Sequence, residues 1–249
     1  MAPLARLQVR AVVAALIVFV AMAVAALLLY APKLSCAAPT VKQLYSGPPP
    51  RRLVIDMEVG SVQVKGDPGA VEASIVLRYC GSCVHWDVER SGDTLVVHVH
   101  DTCGVHVGFG SNALLQVAIP EPRGPQSLNI TLHVGSIELR NVNTSRLSLR
   151  VNVGDIEARN VSVTQNLVVE SSAASAYLSN VFLPANAAAV LRTSVGSVRL
   201  RLAARGAHVV IPGGERVGSL DNTCPEAPGP RVIVYTHVGS VWISCGTSG

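Results

Sequence analysis

This sequence is poor in aromatic and charged residues. Only 4% of its 249 residues are aromatic and 14% are charged, while 49% are hydrophobic. The apolar positions are mostly Val, Ile, Leu and Ala, which suit a narrow β interior filled by small aliphatic side chains. Helical periodicity is absent from the repeated region after residue 133, so we expect an all-β body.

Common catalytic motifs are also absent. The chain has no G-x-S-x-G nucleophile elbow, no phosphate-binding loop with Gly-Lys-Ser/Thr and no H-E-x-x-H zinc motif. Without Arg6, Arg10 and Lys33 of the N-terminal segment, 17 basic and 16 acidic residues remain, a net charge of +1. This balance excludes the basic footprint of a nucleic-acid-binding protein.

A short segment, Val-Gly-Ser-Val, recurs along the chain. Its bend glycines stand at positions 135, 154, 196, 218 and 239, and Ala174 takes the glycine's place in a degenerate copy. The steps of 19–22 residues match one rung of a stacked β-solenoid, in which neighbouring repeats bury each other's apolar faces. Alternating residues on both sides, as in Gly135–Asn141, predict two short strands meeting at the glycine. We expect the valines that flank the glycine to point inward, and the alternative fold is a β-sandwich with similar strands.

The N-terminus predicts a membrane anchor. Residues 11–30 form an uncharged stretch of 20 residues, long enough to span a bilayer as a helix. Arg6 and Arg10 precede it, which predicts a cytoplasmic residue range 1–10 and an extracellular body on the cell membrane. The alternative is a signal peptide cleaved after Ala37. A Pro-rich stalk (31–52), an N-terminal β part (53–132) and the solenoid (133–246) are expected to follow.

Six cysteines in an exported body predict disulfides. Cys224 and Cys245 lie one rung apart, so stacking brings them within bonding reach. Around Ser91-Gly92 the sequence predicts a two-residue hairpin in which His85 faces His98, Cys83 faces His100 and Cys80 faces Cys103. We therefore expect a Cys80–Cys103 bond.

The same hairpin register places one thiol and three imidazoles on one face. Cys83, His85, His98 and His100 could hold zinc or copper there. The alternative is a polar solvent face with Cys83 bonded to Cys36 or Cys103. No other cofactor is expected.

Outward columns of the rungs carry the remaining candidates. Glu138 and Glu157 are expected about 5 Å apart, the separation of a retaining glycosidase pair, although a solvated surface is the favoured interpretation. Arg140, Arg159 and Arg201 form a basic stripe suited to anionic glycans or lipid head groups. Trp242 lies in the neighbouring outward column and completes the ligand-binding candidates. Asn129, Asn143 and Asn160 are in N-x-Ser/Thr sequons and are predicted glycosylation sites.

The order of these features resembles a known family. An opening strand with a Gly-Ser bend (54–65), a strand ending in Val117-Ala118-Ile119-Pro120 and the Gly-Ser/Asp-apolar rungs from Val134 are similar to the "putative adhesin" domain of β-strand repeats, related to auto-transporter adhesin heads. The resemblance covers residues 53–245 and implies surface adhesion without catalytic residues. We therefore expect a non-enzymatic adhesin or interaction scaffold with surface glycans or cell-surface proteins as partners. A carbohydrate-active enzyme and a self-assembling filament are the alternatives.

Overall fold

The computed structural model describes residues 39–102, 113–212 and 219–246, and these ranges are all-β. Their strands form one sheet. The bounds are β1 Thr40–Gly47, β2 Arg52–Asp67, β3 Ala73–Tyr79, β4 Val84–Ser91, β5 Thr94–Asp101, β6 Ala113–Pro120, β7 Ser127–Arg140, β8 Asn143–Phe182, β9 Ala188–Leu202, β10 His208–Val210, β11 Ser219–Asn222 and β12 Arg231–Cys245. The described ranges contain no helix that could cross a membrane, and the anchor predicted at 11–30 lies outside them.

Five long strands, β2, β7, β8, β9 and β12, lie parallel with their repeats in register. Gly60 pairs with Gly135, Gly135 with Gly154, and Gly196 with Gly239. The structure thus shows these repeated segments paired in parallel and in register, while their interpretation as rungs stays a prediction. A closed solenoid winding stays a prediction, because what the structure shows is an open sheet.

The bend glycines that the structure describes are required by close backbone packing. Gly154 has a φ of 136°, and a Cβ placed on it would lie 1.8 Å from the carbonyl oxygen of Gly135. The same crowding occurs at Gly135 against Gly60 and at Gly239 against Gly196, both at 1.7 Å. A side chain would therefore push neighbouring strands apart at the bend.

The bend divides the sheet into two wings. The first wing is formed by the strand segments before the glycine and the second wing by those after it. β2 shows the division, since residues 52–57 pair with β5 and residues 61–67 pair with β6. Inward side chains of both wings belong to one hydrophobic cluster. The core therefore lies between the inner faces of the two wings.

The valine before the bend glycine points outward in three of the described repeats, contrary to expectation. Val153, Val195 and Val238 are 50%, 54% and 61% exposed, whereas the apolar residue after the serine, such as Ile137 or Val198, is buried. The inward positions change parity at the glycine, from Leu132 to Ile137, because its positive φ interrupts the alternation of the strand.

A second corner, after the second wing, is made by asparagines. Asn141, Asn160 and Asn180 all have φ near 55°, at 55°, 55° and 53°. The Asn160 amide donates to Asn141 Oδ1 at 3.1 Å, and the Asn180 amide donates to Asn160 Oδ1 at 2.8 Å. Asparagine tolerates this backbone conformation better than most residues, and the stacked amides bond one rung to the next.

The C-terminal rungs are not stacked in chain order. β12 pairs directly with β9, and β11 pairs with the outer side of β12. The predicted sequence of rungs at 196, 218 and 239 is therefore wrong in order. The predicted Cys224–Cys245 disulfide is confirmed, with a Cα–Cα distance of 4.8 Å, because β11 and β12 are neighbours in either order.

Two predicted domain boundaries also differ from the structure. Residues 40–47 of the expected stalk form β1, which pairs antiparallel with β3. The expected boundary at 132/133 falls inside β7. Proline at 48–50 marks the end of a sheet strand and not a free stalk, because Thr40–Gly47 satisfies its backbone hydrogen bonds in the sheet.

Candidate ligand-binding site

The predicted basic stripe is internally neutralised on two of its three arginines. Arg140 and Arg159 are neighbours in register on β7 and β8. Arg140 forms an ion pair with Glu138, and Arg159 forms one with Glu157. Arg201 lies on β9, where it pairs in register with Ser244 of β12. Charges balanced in this way leave Arg140 and Arg159 less available to an external anion.

The predicted acid pair is adjacent but engaged. Glu138 and Glu157 face each other in register, as expected. Glu138 Oε2 also accepts a hydrogen bond of 3.1 Å from the Gln63 amide. Each carboxylate is thus directed toward its own arginine.

Trp242 belongs to a cluster with Arg199 and Tyr177, which the order of the repeats along the chain does not predict. Because β12 lies beside β9, Trp242 is the direct neighbour of Arg199. The Arg199 guanidinium lies 5.3 Å from the Trp242 ring centroid and 5.9 Å from that of Tyr177 on its other side. This cluster is a cation–π sandwich on the outer face of the second wing.

The predicted metal site is wrong in its thiol ligand. Cys83 and Cys80 are both disulfide-bonded, so neither offers a thiolate. The expected partner of Cys80, Cys103, lies outside the described ranges. Within those ranges no three His, Cys, Asp or Glu side chains form a group able to hold a metal ion.

The hairpin register is shifted by two residues from the prediction. Ser91 pairs with Thr94, so the turn is Gly92-Asp93, and His85 faces His100. Gly92 supplies the positive φ, 56°, that the first position of a type II′ turn needs. The shift preserves which side chains share a face but changes every pair.

The two histidines of β5 are held by carboxylates of β2. His98 Nδ1 lies 3.6 Å from Asp56 Oδ2, and His100 Nδ1 lies 3.5 Å from Glu58 Oε1. Their rings stack nearly parallel, with centroids 6.0 Å apart. The predicted metal face is therefore a surface of histidine–carboxylate pairs.

Sequence reasoning missed a groove on the outer face of the first wing. Its floor is a row of side chains from three strands: Arg150 and Glu170 of β8, Arg192 of β9 and Tyr235 of β12. Arg150 Nε lies 2.9 Å from Glu170 Oε2, and Arg192 Nη1 lies 2.8 Å from Glu170 Oε1. The Arg192 guanidinium is 5.1 Å from the Tyr235 ring centroid. We call these four residues the arginine row.

Small polar side chains form a second row beside it. Asn152, Ser172, Ser194 and His237 are all exposed and lie two positions closer to the bend on the same strands. Together the two rows line an open cavity of about 520 Å³. This volume falls within the range of small-molecule sites.

A signal for the groove is present in the sequence. Each member of the arginine row stands four residues before the bend position, as Arg150 does before Gly154 and Tyr235 before Gly239. The residues after the glycine repeat more regularly than those before it, so the sequence pattern of the second wing is the stronger of the two. Applying the same period to the preceding strand identifies the row.

The sequon asparagines have unequal environments. Asn160 uses its amide in the corner ladder with Asn141. Asn129 is half-buried within the sheet between Val54 and Ser148. Asn143 is exposed at the start of β8. Glycosylation stays a prediction at all three, and Asn143 is the position where a glycan displaces least.

Comparison with known proteins finds no matching family model and no matching curated sequence. Among solved structures, a putative cell adhesion protein from Clostridium sporogenes is 14% identical, covers 84% of this chain and 100% of its own, and has a TM-score of 0.45. A putative adhesin from Bacteroides fragilis is 13% identical, covers 83% of this chain and 97% of its own, and also scores 0.45. A putative adhesin from Parabacteroides distasonis is 11% identical, covers 84% and 98%, and scores 0.28.

Proposed function

We propose that this protein is a non-enzymatic surface protein whose β-solenoid presents ligand-binding rows outside the cell. In this proposal residues 11–30 anchor the chain once in the membrane and the β-body is extracellular. The observation that carries the proposal is the ordering of outward side chains into rows along parallel, in-register strands. Such rows form an extended, rigid surface that matches repetitive ligands.

The geometry favours this function over the two alternatives. The glutamates required by a glycosidase are directed to Arg140 and Arg159. Filament growth needs long open edges, but the described edge toward the C-terminal end carries the short strands β10 and β11. Short edge strands oppose end-to-end pairing, and so does the register shift in β1 between Gln43 and Tyr45 at the other edge.

The test uses bacterial cells that produce the full-length chain, compared with the same cells carrying an empty vector. External protease should remove the β-body from intact cells, and the producing cells should adhere more to glycan- or protein-coated surfaces. Protection from the protease would contradict the extracellular location. Equal adhesion by the two cell populations would contradict the binding function.

A further inference from the structure

We propose that the groove of the arginine row binds an acidic oligosaccharide, one whose sugar rings carry carboxylate or sulfate groups. The inference rests on the proposed function, since it names the ligand of that surface. It assigns the ligand to the first wing and not to the Arg140–Arg159 stripe on the second.

Charge is the first argument. Two guanidinium groups share the single carboxylate of Glu170, which leaves one positive charge in excess. Each arginine has five N–H donors, and Glu170 is approached by Nε of Arg150 and by Nη1 of Arg192. The remaining donors are available, because both arginine side chains are more than half exposed, at 54% and 55%. Guanidinium groups bind carboxylate and sulfate through paired hydrogen bonds.

Preorganisation is the second argument. Glu170 orients both Arg150 and Arg192, and the Tyr235 ring packs against Arg192. Side chains already held in place lose less conformational entropy when they bind. Arg140 and Arg159 are also held, but each has a carboxylate of its own, so these two arginines together carry no excess charge.

Spacing is the third argument. Adjacent strands are about 4.8 Å apart, a distance close to the length of one sugar ring. The arginine row and the row of Asn152, Ser172, Ser194 and His237 both advance one residue per repeat, with two repeats in β8 and one each in β9 and β12. A glycan chain lying across the strands would meet hydrogen-bonding side chains at each ring. Tyr235 offers an aromatic surface for the apolar face of a terminal sugar.

Other ligand classes fit the groove less well. A peptide recognised by strand addition requires a sheet edge, and the groove lies on a sheet face between β8, β9 and β12. A membrane surface requires deeply inserting apolar groups, but the nearest exposed apolar side chains are the short valines at 153, 195 and 238. Sugar hydroxyls match the polar lining of the groove.

The experiment measures binding of the full-length protein in detergent to matched hexasaccharides by calorimetry. The probes are oligogalacturonate, its methyl ester, which lacks the charge, and heparin hexasaccharide, with a neutral glucose oligomer as control. Wild type should bind at least one acidic probe at least tenfold more tightly than the neutral ones. Arg150→Gln/Arg192→Gln should lose at least tenfold of that affinity. The matched control, Arg140→Gln/Arg159→Gln, should retain it.

A second variant tests the argument from excess charge. Glu170→Gln removes the negative charge but keeps an amide oxygen that can still accept hydrogen bonds and orient an arginine, so it should increase affinity for the acidic probe several-fold. Weaker binding by this variant would overturn the argument from excess charge. Thermal unfolding of each variant checks folding. Equal binding of the methyl ester, loss of binding only in the stripe variant, or no binding of any probe by wild type overturns the groove proposal. If the groove proposal fails but producing cells still adhere, the proposed surface-binding function stands. If the cells do not adhere, both the groove proposal and the proposed function fail.

Discussion

A side chain at Gly154 should destabilise the packing of neighbouring strands at the bend. Replacing it with alanine introduces a Cβ 1.8 Å from the Gly135 carbonyl oxygen, where ordinary contact begins at 3.4 Å, and forces a side chain onto a φ of 136°. The backbone conformation alone costs about 1–3 kcal/mol. Separating the strands weakens backbone hydrogen bonds worth about 1 kcal/mol each. With two such bonds affected, we expect Gly154→Ala to lower the free energy of unfolding by about 3–5 kcal/mol.

Urea unfolding of the disulfide-intact protein measures this loss as a lower midpoint at constant slope. Gly92→Ala is the matched control, because Gly92 also has a positive φ, 56°, but no atom lies within 4 Å of its added Cβ. That variant should lose only about 1–2 kcal/mol. Ala174 stands at the bend position of a repeat that already accommodates a Cβ, so Ala174→Gly should change the free energy of unfolding by roughly 1 kcal/mol or less. Equal losses in Gly154→Ala and Gly92→Ala would refute close packing as the reason for the glycine.

Two further predictions concern the connections between rungs. Asn160→Ala removes the side-chain hydrogen bonds to Asn141 and Asn180 and replaces an asparagine suited to φ 55°, so we expect it to lower the free energy of unfolding by about 1–3 kcal/mol in urea. Asn143→Ala, outside this row of corner asparagines, is the control. Equal losses in the two variants would contradict a stabilising role for the corner asparagines. Cys224→Ser/Cys245→Ser removes a disulfide that joins residues 21 positions apart, so we expect the free energy of unfolding to fall by about 3 kcal/mol and the thermal midpoint to decrease. An unchanged midpoint would show that β11 is held by its pairing with β12 alone.

Local features of the fold were predictable because they depend on neighbouring residues. The alternation around Ile137 and Leu139 identified a half-buried strand, and the repeated glycine identified the register between rungs. The orientation of Val153 was not predictable from alternation alone, because the glycine after it changes the parity of the strand.

Spatial order was the main feature that the repeat could not determine. Equal spacing shows that the rungs at 196, 218 and 239 are equivalent, but equivalence does not say which are neighbours. The region between β9 and β12 is rich in proline and glycine and forms the short strands β10 and β11, with 3 and 4 residues. Short strands cannot pair along the whole length of a central rung and are found at an edge. Because β11 lies at the edge, the residue beside Arg199 is Trp242 of β12 and not Asp221 of β11.

The candidate site was missed for a related reason. The stripe of Arg140 and Arg159 is visible from identical residues at one column, while the arginine row contains Arg, Glu, Arg and Tyr. A column of different residue types can be recognised as a binding site only when its ion pairs are known, such as those of Glu170 with Arg150 and Arg192. The disulfide state of Cys83 likewise depends on a partner that local spacing left undecided.

The placement of β12 between β9 and β11 has a consequence for how the chain is assembled. β10 and β11 are synthesised before β12, yet in the described structure their sheet partner is β12. They can therefore reach their place in the sheet only after β12 has been synthesised, so the order of this edge depends on β12. A chain truncated before Arg231 would lose the partner of both short strands and leave the full length of β9 open.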